Sequence, residues 1–288
     1  MIKKPAQRII ATILGCGSSG GVPRVGNIWG DCDPKESKNR RRRCSLLLTG
    51  TSRGVAGKTQ IVIDTGCDLR EQLLDEEVKN INAVFYTHEH ADHTHGIDDL
   101  RAFALNESKR IDIYMGERTK RRLHKSFSYC FETPQNSGYP PILNSHEINH
   151  GKSVTIAGEG GEITLLPVLQ KHGNITTFGF RIGNLLYSCD ISGINEQSLL
   201  HLENLDIWIV DALRRPPHPS HFNLEQSLDW IKRMKPRQAI LTNLHIDMDY
   251  QTISGETPDN VMPAFDGMKI DITSGKVLSQ PQNKILLQ

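Results

Sequence analysis

Three histidines and one aspartate fall within six residues of the chain, directly after a short apolar run. They are His88, His90, Asp92 and His93, and the apolar run is Ala83–Tyr86. Neutral imidazole and carboxylate groups suit Zn²⁺, and also Mn²⁺ or Fe²⁺. Because alternate side chains of an extended segment share a direction, His88 and His90 can converge on one ion while Asp92 and His93 face a second. The spacing therefore predicts a site for two divalent metal ions.

Two such ions, about 3.5–4 Å apart, can share a hydroxide and clamp the group that it attacks. The zinc-protease pattern H-E-x-x-H does not fit, because it would need a histidine where Asp92 stands. The motif therefore predicts a metal-dependent hydrolase of another kind.

Short apolar and β-branched runs predict the strands that must position this motif. Several of them are continuously apolar, which is typical of sheets buried on both faces. The predicted strands are Arg8–Leu14, Ser45–Leu48, Gln60–Ile63, Ala83–Tyr86, Ile163–Val168, Thr177–Ile182, Leu185–Ser188, Asp206–Val210 and Gln238–Thr242.

Helical patterns lie between these strands, at Thr94–Asn106, Glu117–Phe127, Asn195–Leu202 and Asn223–Met234. In the last of these, Asn223 is a predicted N-cap, with Gln226 placed to complete a capping box. Strands and helices in this order predict one α/β domain, with helices packed outside stacked sheets. We expect the domain to span residues 1–288, with its core at about 9–272 and a polar tail at 273–288 that frays.

Composition is that of an ordinary globular protein, with 288 residues and a net charge of +1. This charge gives no reason to expect nucleic acid or an acidic membrane as a partner. No apolar run approaches the length of a membrane span, and the N-terminus resembles a strand more than a signal peptide. We therefore expect a cytoplasmic protein whose six cysteines are reduced.

The metal motif resembles that of the metallo-β-lactamase-fold hydrolase superfamily. The resemblance implies an αββα sandwich, in which two mixed β-sheets lie face to face with helices outside. It also implies roles for residues elsewhere in the chain. His172 would complete the first metal site with His88 and His90, and Asp190 would bridge the two ions. Asp64, after the apolar strand Gln60–Ile63, would orient the metal loop without touching metal.

One position departs from the superfamily pattern. His245 is the candidate for the last ligand of the second metal, beside Asp92 and His93. In many relatives, however, that histidine directly follows a Leu-Thr pair, and here Asn243 holds the place. Either the loop is reshaped so that His245 reaches the metal, or this ligand is missing.

Flanking motifs are similar to a narrower group, which holds the phosphoribosyl 1,2-cyclic phosphate phosphodiesterase and relatives near tRNase Z. The motifs are the glycine-rich Gly15–Pro23, Arg43–Ser45 and Phe265–Ile270. The similarity implies hydrolysis of a small cyclic phosphate or nucleotide-like phosphodiester through a metal-bridging hydroxide. That group also carries a cysteine cluster for a structural zinc ion. Only Cys32 stands in the corresponding stretch, so we expect no such site and leave the natural substrate open.

The resemblance also suggests residues that would act on the substrate. His221 would be catalytic, together with the metal ligand Asp92, by donating a proton to the leaving oxygen. His218 is a candidate substrate-binding residue. Ser18 and Ser19 are two more, because the backbone amides of their glycine-rich loop could meet a phosphate.

Other functions remain open at this point. In the same fold they are RNA processing and the hydrolysis of a thioester, lactam or lactone. In another class, the protein would bind a nucleotide or phosphate without catalysis. The basic run Lys38–Arg43 is interpreted either as a solvated loop or as a patch that contacts phosphate or RNA. Nucleic acid is not the expected partner, and a homodimer is suggested by resemblance alone.

Overall fold

The computed structural model describes residues 4–278 and forms two β-sheets packed face to face. In chain order the strands are β1 Arg8–Gly15, β2 Ser45–Thr51, β3 Thr59–Ile63, β4 Ala83–Phe85, β5 Ile111–Met115, β6 Leu143–Glu147, β7 Val154–Gly158, β8 Gly161–His172, β9 Ile175–Ile182, β10 Leu185–Ser188, β11 Gly193–Ile194, β12 Ile207–Asp211, β13 Gln238–Thr242, β14 Val261–Pro263, β15 Lys269–Asp271 and β16 Lys276–Val277.

The α-helices are α1 Leu69–Asp75, α2 Ala91–Thr94, α3 Arg101–Asn106, α4 Glu117–Ser126, α5 Ser128–Phe131, α6 Glu196–Leu199, α7 Leu224–Met234 and α8 Tyr250–Glu256. Short 3-10 helices lie at Ser37–Asn39, Ile97–Leu100 and Leu200–Leu202. In this part of the chain, no helix is both long enough and apolar enough to cross a membrane.

Each sheet is mixed, as the sequence predicted. The first sheet has the order β16-β15-β1-β2-β3-β4-β5-β6 and is parallel only from β3 to β6. The second has the order β11-β8-β9-β10-β12-β13-β14, with β7 paired to β8, and is parallel only from β10 to β14. The carboxyl ends of the parallel strands therefore form one edge in each sheet.

Alternation of side chains along the strands explains the layers. In β3, Ile61 and Ile63 belong to the core between the sheets, whereas Val62 packs with the helices outside the first sheet. In β12, Ile209 faces the inter-sheet core and Trp208 faces the helices outside the second sheet. Strands buried on both faces read as continuous apolar runs. The expected αββα sandwich is confirmed.

The helix predictions were right in position but wrong in continuity. The segment Thr94–Asn106 is divided into a 3-10 turn at Ile97–Leu100 and the helix α3, and Thr94 itself closes α2. In α7, the Asn223 side chain accepts from the Gln226 amide and the Gln226 side chain accepts from the Asn223 amide, which confirms the capping box.

The expected fraying of the tail is wrong for its first residues. Lys276–Val277 forms β16 and pairs with β15, while the prediction for residues 279–288 falls outside the described residues. All six cysteines are free, as expected, and only Cys67 among them is exposed.

The basic run is not a uniformly solvated loop. Arg41 is buried, and its guanidinium donates to Asn39 Oδ1 at 3.1 Å and contacts the Cys32 sulfur at 3.8 Å. Arg42 pairs with Asp75, and Arg43 pairs with Asp68 at 2.9 Å. Since these three guanidinium groups already have partners within the protein, they give little support to a patch for RNA.

Candidate metal centre

The predicted metal residues meet at the edge formed by the strand ends. His88 and His90 follow β4, His172 ends β8, and Asp190 follows β10. Each of these four residues offers one possible ligand atom, and the four atoms all lie within 4.8 Å of one another. Asp92 and His93, on α2, form an overlapping group with Asp190 by the same measure. Asp190 is thus shared by two neighbouring groups, which is the position expected of a bridging ligand.

Hydrogen bonds fix the Nδ1 atoms of three histidines and leave their Nε2 atoms for a metal. His93 Nδ1 lies 2.8 Å from Asp64 Oδ2, and His172 Nδ1 lies 2.6 Å from the carbonyl oxygen of Ser220. His88 Nδ1 lies 3.0 Å from the Thr87 hydroxyl. Partners of this kind set the tautomer and orientation of metal-binding histidines.

Asp64 organises the metal loop without entering the cluster of His88. Its two oxygens accept from the Thr87 amide and the Thr87 hydroxyl, each at 2.8 Å. The Thr87 hydroxyl therefore uses its proton on Asp64 and accepts from His88 Nδ1. This leaves His88 Nε2 unprotonated, and Asp64 holds the metal loop as the sequence suggested.

A buried nitrogen without a partner tests whether the cluster fits a metal. His88 is fully buried, and its Nε2 has no hydrogen-bond partner among the described residues. A buried polar atom left unsatisfied costs about 1–3 kcal/mol, so this arrangement is costly unless a ligand binds there. Burial and the nearby charge of His93 lower the pKa of His88, which keeps its lone pair available. The donor set fits a divalent cation.

Carboxylates around His93 favour a positive charge in the second group. Burial alone would lower the pKa of His93, but Asp190, Asp92 and Asp64 outweigh it and raise that pKa. His93 Nε2 lies 3.3 Å from Asp190 and 3.4 Å from Asp92. A metal ion at this point would take the place of the proton between the carboxylates.

The structure does not bring His245 into either group. Its Nδ1 lies 2.7 Å from Asp247 Oδ1, and its Nε2 contacts the guanidinium of Arg24. Asn243 lies beside the cluster instead, and its Nδ2 is 3.3 Å from Asp190 and 3.2 Å from Asp211. Asn243 directly follows β13, whereas His245 lies two residues further on, past the bridge that pairs Leu244 with Gly17.

His221 lies at the open side of the cluster. Its ring is 4.7 Å from that of His172, and its Nε2 is 3.9 Å from Asp190. Its Nδ1 lies 2.8 Å from Asp211, which is fully buried. Burial opposes protonation of His221, but Asp211 outweighs it and raises the pKa of His221 to about 9. His221 is thus built to keep a proton near the metal residues.

Asp211 is the functional residue that sequence reasoning missed. It ends β12, next to Thr242 of β13, and also accepts from the Ile191 amide at 3.0 Å. Burial raises its pKa to about 7, against the opposing charge of His221. The signal was an aspartate that ends a continuous apolar strand, as Asp64 does after β3.

The remaining candidates, His218, Ser18 and Ser19, belong to none of the possible ligand groups among the described residues. The ring of His218 is 5.0 Å from that of His221, and the residue is half-buried. Ser18 is buried, its hydroxyl finds no partner among the described residues, and its amide donates to the Leu244 carbonyl. Ser19 is exposed, and its carbonyl accepts from Arg43. The Ser18 amide is therefore not available to a phosphate, contrary to our expectation for that loop.

Comparison with known proteins agrees with this geometry. Residues 59–246 match the family described as the β-lactamase superfamily domain. A crystal structure described as a new diphosphatase from the PhnP family is 32% identical, with a TM-score of 0.80, and covers 92% of this chain and 97% of that one. The short form of human tRNase Z is 16% identical, with a TM-score of 0.59, and covers 91% and 99%.

One relative in sequence is named for another activity than the diphosphatase and tRNase Z structures. The octanoyltransferase of Porphyromonas gingivalis is 29% identical over 261 residues, which cover 89% of this chain. The chain spans about half the length of this relative, since the match covers 50% of it.

Proposed function

Because the chain belongs to the β-lactamase superfamily, we propose that it is a metal-dependent phosphodiesterase acting on a small cyclic phosphate or nucleotide-like phosphodiester. The observation that carries the proposal is the His221–Asp211 pair, in which Nδ1 lies 2.8 Å from buried Asp211 and Nε2 faces the metal residues, 3.9 Å from Asp190. Thioester hydrolysis gives no reason for this pair, because a thiolate leaves without a proton. The likeness to a diphosphatase of the PhnP family supports phosphorus chemistry.

His88, His90 and His172 would hold one divalent ion, Asp92 and His93 the second, and Asp190 would contact both. Zn²⁺, Mn²⁺ or Fe²⁺ suits this set of nitrogen and carboxylate ligands. When bound, the ions would generate a nucleophile from water near neutral pH and offset charge on the phosphoryl oxygens.

His221 and Asp211 would then assist the departure of the leaving group. His221 keeps its Nδ1 on Asp211 and directs Nε2 toward Asp190, where a departing oxygen could receive its proton. Asp211 stabilises the charged ring and sets its orientation. His218 lies next to this position and would bind the substrate, and the unpartnered hydroxyl of Ser18 is a second candidate among the described residues.

The proposal is tested by hydrolysis of bis(p-nitrophenyl) phosphate beside a lactam and a thioester, with metal content measured on the same protein. We expect turnover of the phosphodiester alone, its loss with chelator, and nearly two ions per chain. His146→Ala is a matched control, because this histidine pairs with Asp112 and belongs to neither group of possible metal ligands. Thioester or lactam turnover instead would refute the phosphodiesterase assignment while keeping the metal site.

Asn243 favours a second candidate, which is a phosphate- or nucleotide-binding protein without catalysis. Its amide nitrogen faces Asp190 and Asp211, so no histidine completes the second site from this strand. This candidate would be favoured if the purified protein contains no metal, binds a nucleotide and hydrolyses none of the three substrates.

A further inference from the structure

Beyond the metal residues, a cationic side chain is held in place by a histidine that binds no metal in our assignment. His245 Nε2 contacts the guanidinium of Arg24, and its Nδ1 contacts Asp247. Arginine only donates, so Nε2 must be the acceptor and Nδ1 must carry the ring proton to the carboxylate. Both nitrogens of His245 are therefore occupied, and the histidine orients Arg24.

The path of Arg24 is fixed from two further sides. Its backbone amide and carbonyl both hydrogen-bond to Ile28, at 2.9 and 3.2 Å. Its side chain crosses Gly20 so closely that a Cβ there would lie 3.1 Å from Arg24 Cγ. A long side chain normally loses entropy when it binds a ligand, and this one is already restrained.

The charge of Arg24 lacks a carboxylate partner in the part of the chain that the structure describes. Among residues 4–278, no carboxylate pairs with it, and His245 is its sole side-chain hydrogen-bond partner. Arg43 and Arg215 differ from it, since Arg43 pairs with Asp68 and Arg215 with Glu256. Arg24 is half-buried, so this unpaired charge has only partial access to solvent.

A second donor lies on His218, whose ring is 5.0 Å from that of His221. The Ser220 amide donates to His218 Nδ1 at 3.3 Å, which places the ring proton of neutral His218 on Nε2. That nitrogen has no protein partner in the described part of the chain. Burial, then the charges of His221, Arg214 and His245, lower the pKa of His218, which places its ring among these basic groups.

Asn243 and Leu244 link the segments that carry His245 and Arg24 to the metal cluster. Asn243, two residues before His245, contacts Asp190, and Leu244 pairs with Gly17 of the loop that leads to Arg24. We infer that Arg24, positioned by His245 and Asp247, and His218 form a second anion subsite, which binds a phosphate or other anionic group of the substrate away from the group held by the metals.

The inference rests on the proposed function in one respect: the metals are taken to hold the first anionic group of the substrate. It also gives His245 a positioning role that differs from the metal ligation suggested by the sequence. The two roles predict different metal contents, so they can be separated without measuring turnover.

The test uses phosphonates, which the proposed reaction does not cleave. Methylphosphonate and a series of alkane bisphosphonates of increasing length would be titrated into metal-loaded protein by calorimetry. We expect at least one bisphosphonate to bind on the order of 10- to 100-fold more tightly than methylphosphonate, as a charge-assisted hydrogen bond would give. Arg24→Met should remove this advantage and leave methylphosphonate binding within about threefold.

Arg53→Met is the matched control, because Arg53 is exposed in the loop between β2 and β3, at the end of the strands opposite the metal residues. It should keep the full advantage. If no bisphosphonate binds more tightly than methylphosphonate, or if Arg24→Met keeps the difference, the subsite does not exist.

Two variants of His245 test its positioning role. His245→Gln can still accept from Arg24 through its amide oxygen and should keep most of the bisphosphonate advantage, whereas His245→Leu should lose it. Neither should change the number of bound metal ions. One ion fewer in both variants would show that His245 is a metal ligand and overturn the inference. Arg24-dependent binding in a protein without metal would retain the subsite and count against the hydrolase.

Discussion

Replacing His221 with alanine should slow hydrolysis of a phosphodiester with an alkoxide leaving group by about 100- to 10 000-fold. The ring is placed for proton donation, because Asp211 holds Nδ1 at 2.8 Å and Nε2 points toward Asp190 at 3.9 Å. At about 1.36 kcal/mol for each factor of ten, the loss corresponds to roughly 3–5 kcal/mol of transition-state stabilisation.

The leaving group makes this prediction specific. An alkoxide needs a proton as it departs, whereas p-nitrophenolate is a weak base and leaves without one. His221→Ala should therefore lower kcat strongly for a nucleoside cyclic phosphate and by less than about tenfold for bis(p-nitrophenyl) phosphate. Both substrates would be assayed with the same metal-loaded preparation, whose metal content should equal that of the wild type.

Asp211→Asn is a second variant for the same test, with a smaller expected effect. It removes the charge that stabilises the His221 proton but keeps a side chain of the same shape in a buried position. We expect a smaller kcat loss for the alkoxide substrate, with a high-pH limb that moves to lower pH, because the pKa of His221 falls. Equal losses for both substrates in His221→Ala would refute proton donation and indicate a role in binding or in metal retention.

Three further predictions concern the metal cluster. Asp190→Ala should abolish turnover, with far-UV circular dichroism unchanged, because one buried carboxylate serves both groups of ligands; near-normal activity would exclude a bridging role. Asn243→His should tighten the weaker metal ion by about tenfold or more in competition with a chelator, because it adds an imidazole beside Asp190; equal affinities for both ions in the wild type would contradict this. Gly66→Ala should weaken metal binding by about 10- to 100-fold, since a Cβ there would lie 2.3 Å from the Asp92 carbonyl oxygen; Gly138→Ala, where a Cβ meets nothing within 4 Å, is the control and should leave metal binding unchanged.

The sequence predicted those parts of the fold that depend on local pattern. Strands buried on both faces, such as β3 and β12, stand out as apolar runs, and Asn223 with Gln226 marks the start of α7. The strand β6 was missed because Leu143–Glu147 is mostly polar and forms an edge of its sheet. At β16, Lys276–Val277 is ordered by its partner β15, which a local pattern cannot indicate.

The candidate site divides in the same way. His88, His90, Asp92 and His93 are close in sequence, so their spacing alone indicated metal binding. Asp211 carried a signal, an aspartate at the end of the apolar strand β12, but its role becomes clear only from its contact with His221 in the loop that follows that strand. The position of His245 could not be predicted, since it depends on a contact with Arg24 across 221 residues of sequence.

Asn243 connects these observations. A histidine at its position would offer a ring nitrogen to the second metal, but the amide instead donates to Asp190 and Asp211, at 3.3 and 3.2 Å. Asn243 thus links the metal residue Asp190 to Asp211, the carboxylate that pairs with His221. Asp190 also lies near His221 Nε2. Deprotonation of His221 and loss of a metal ion would therefore both change the charge next to Asp190. A second metal bound more weakly than the first, together with a strongly held proton on His221, is what this arrangement predicts.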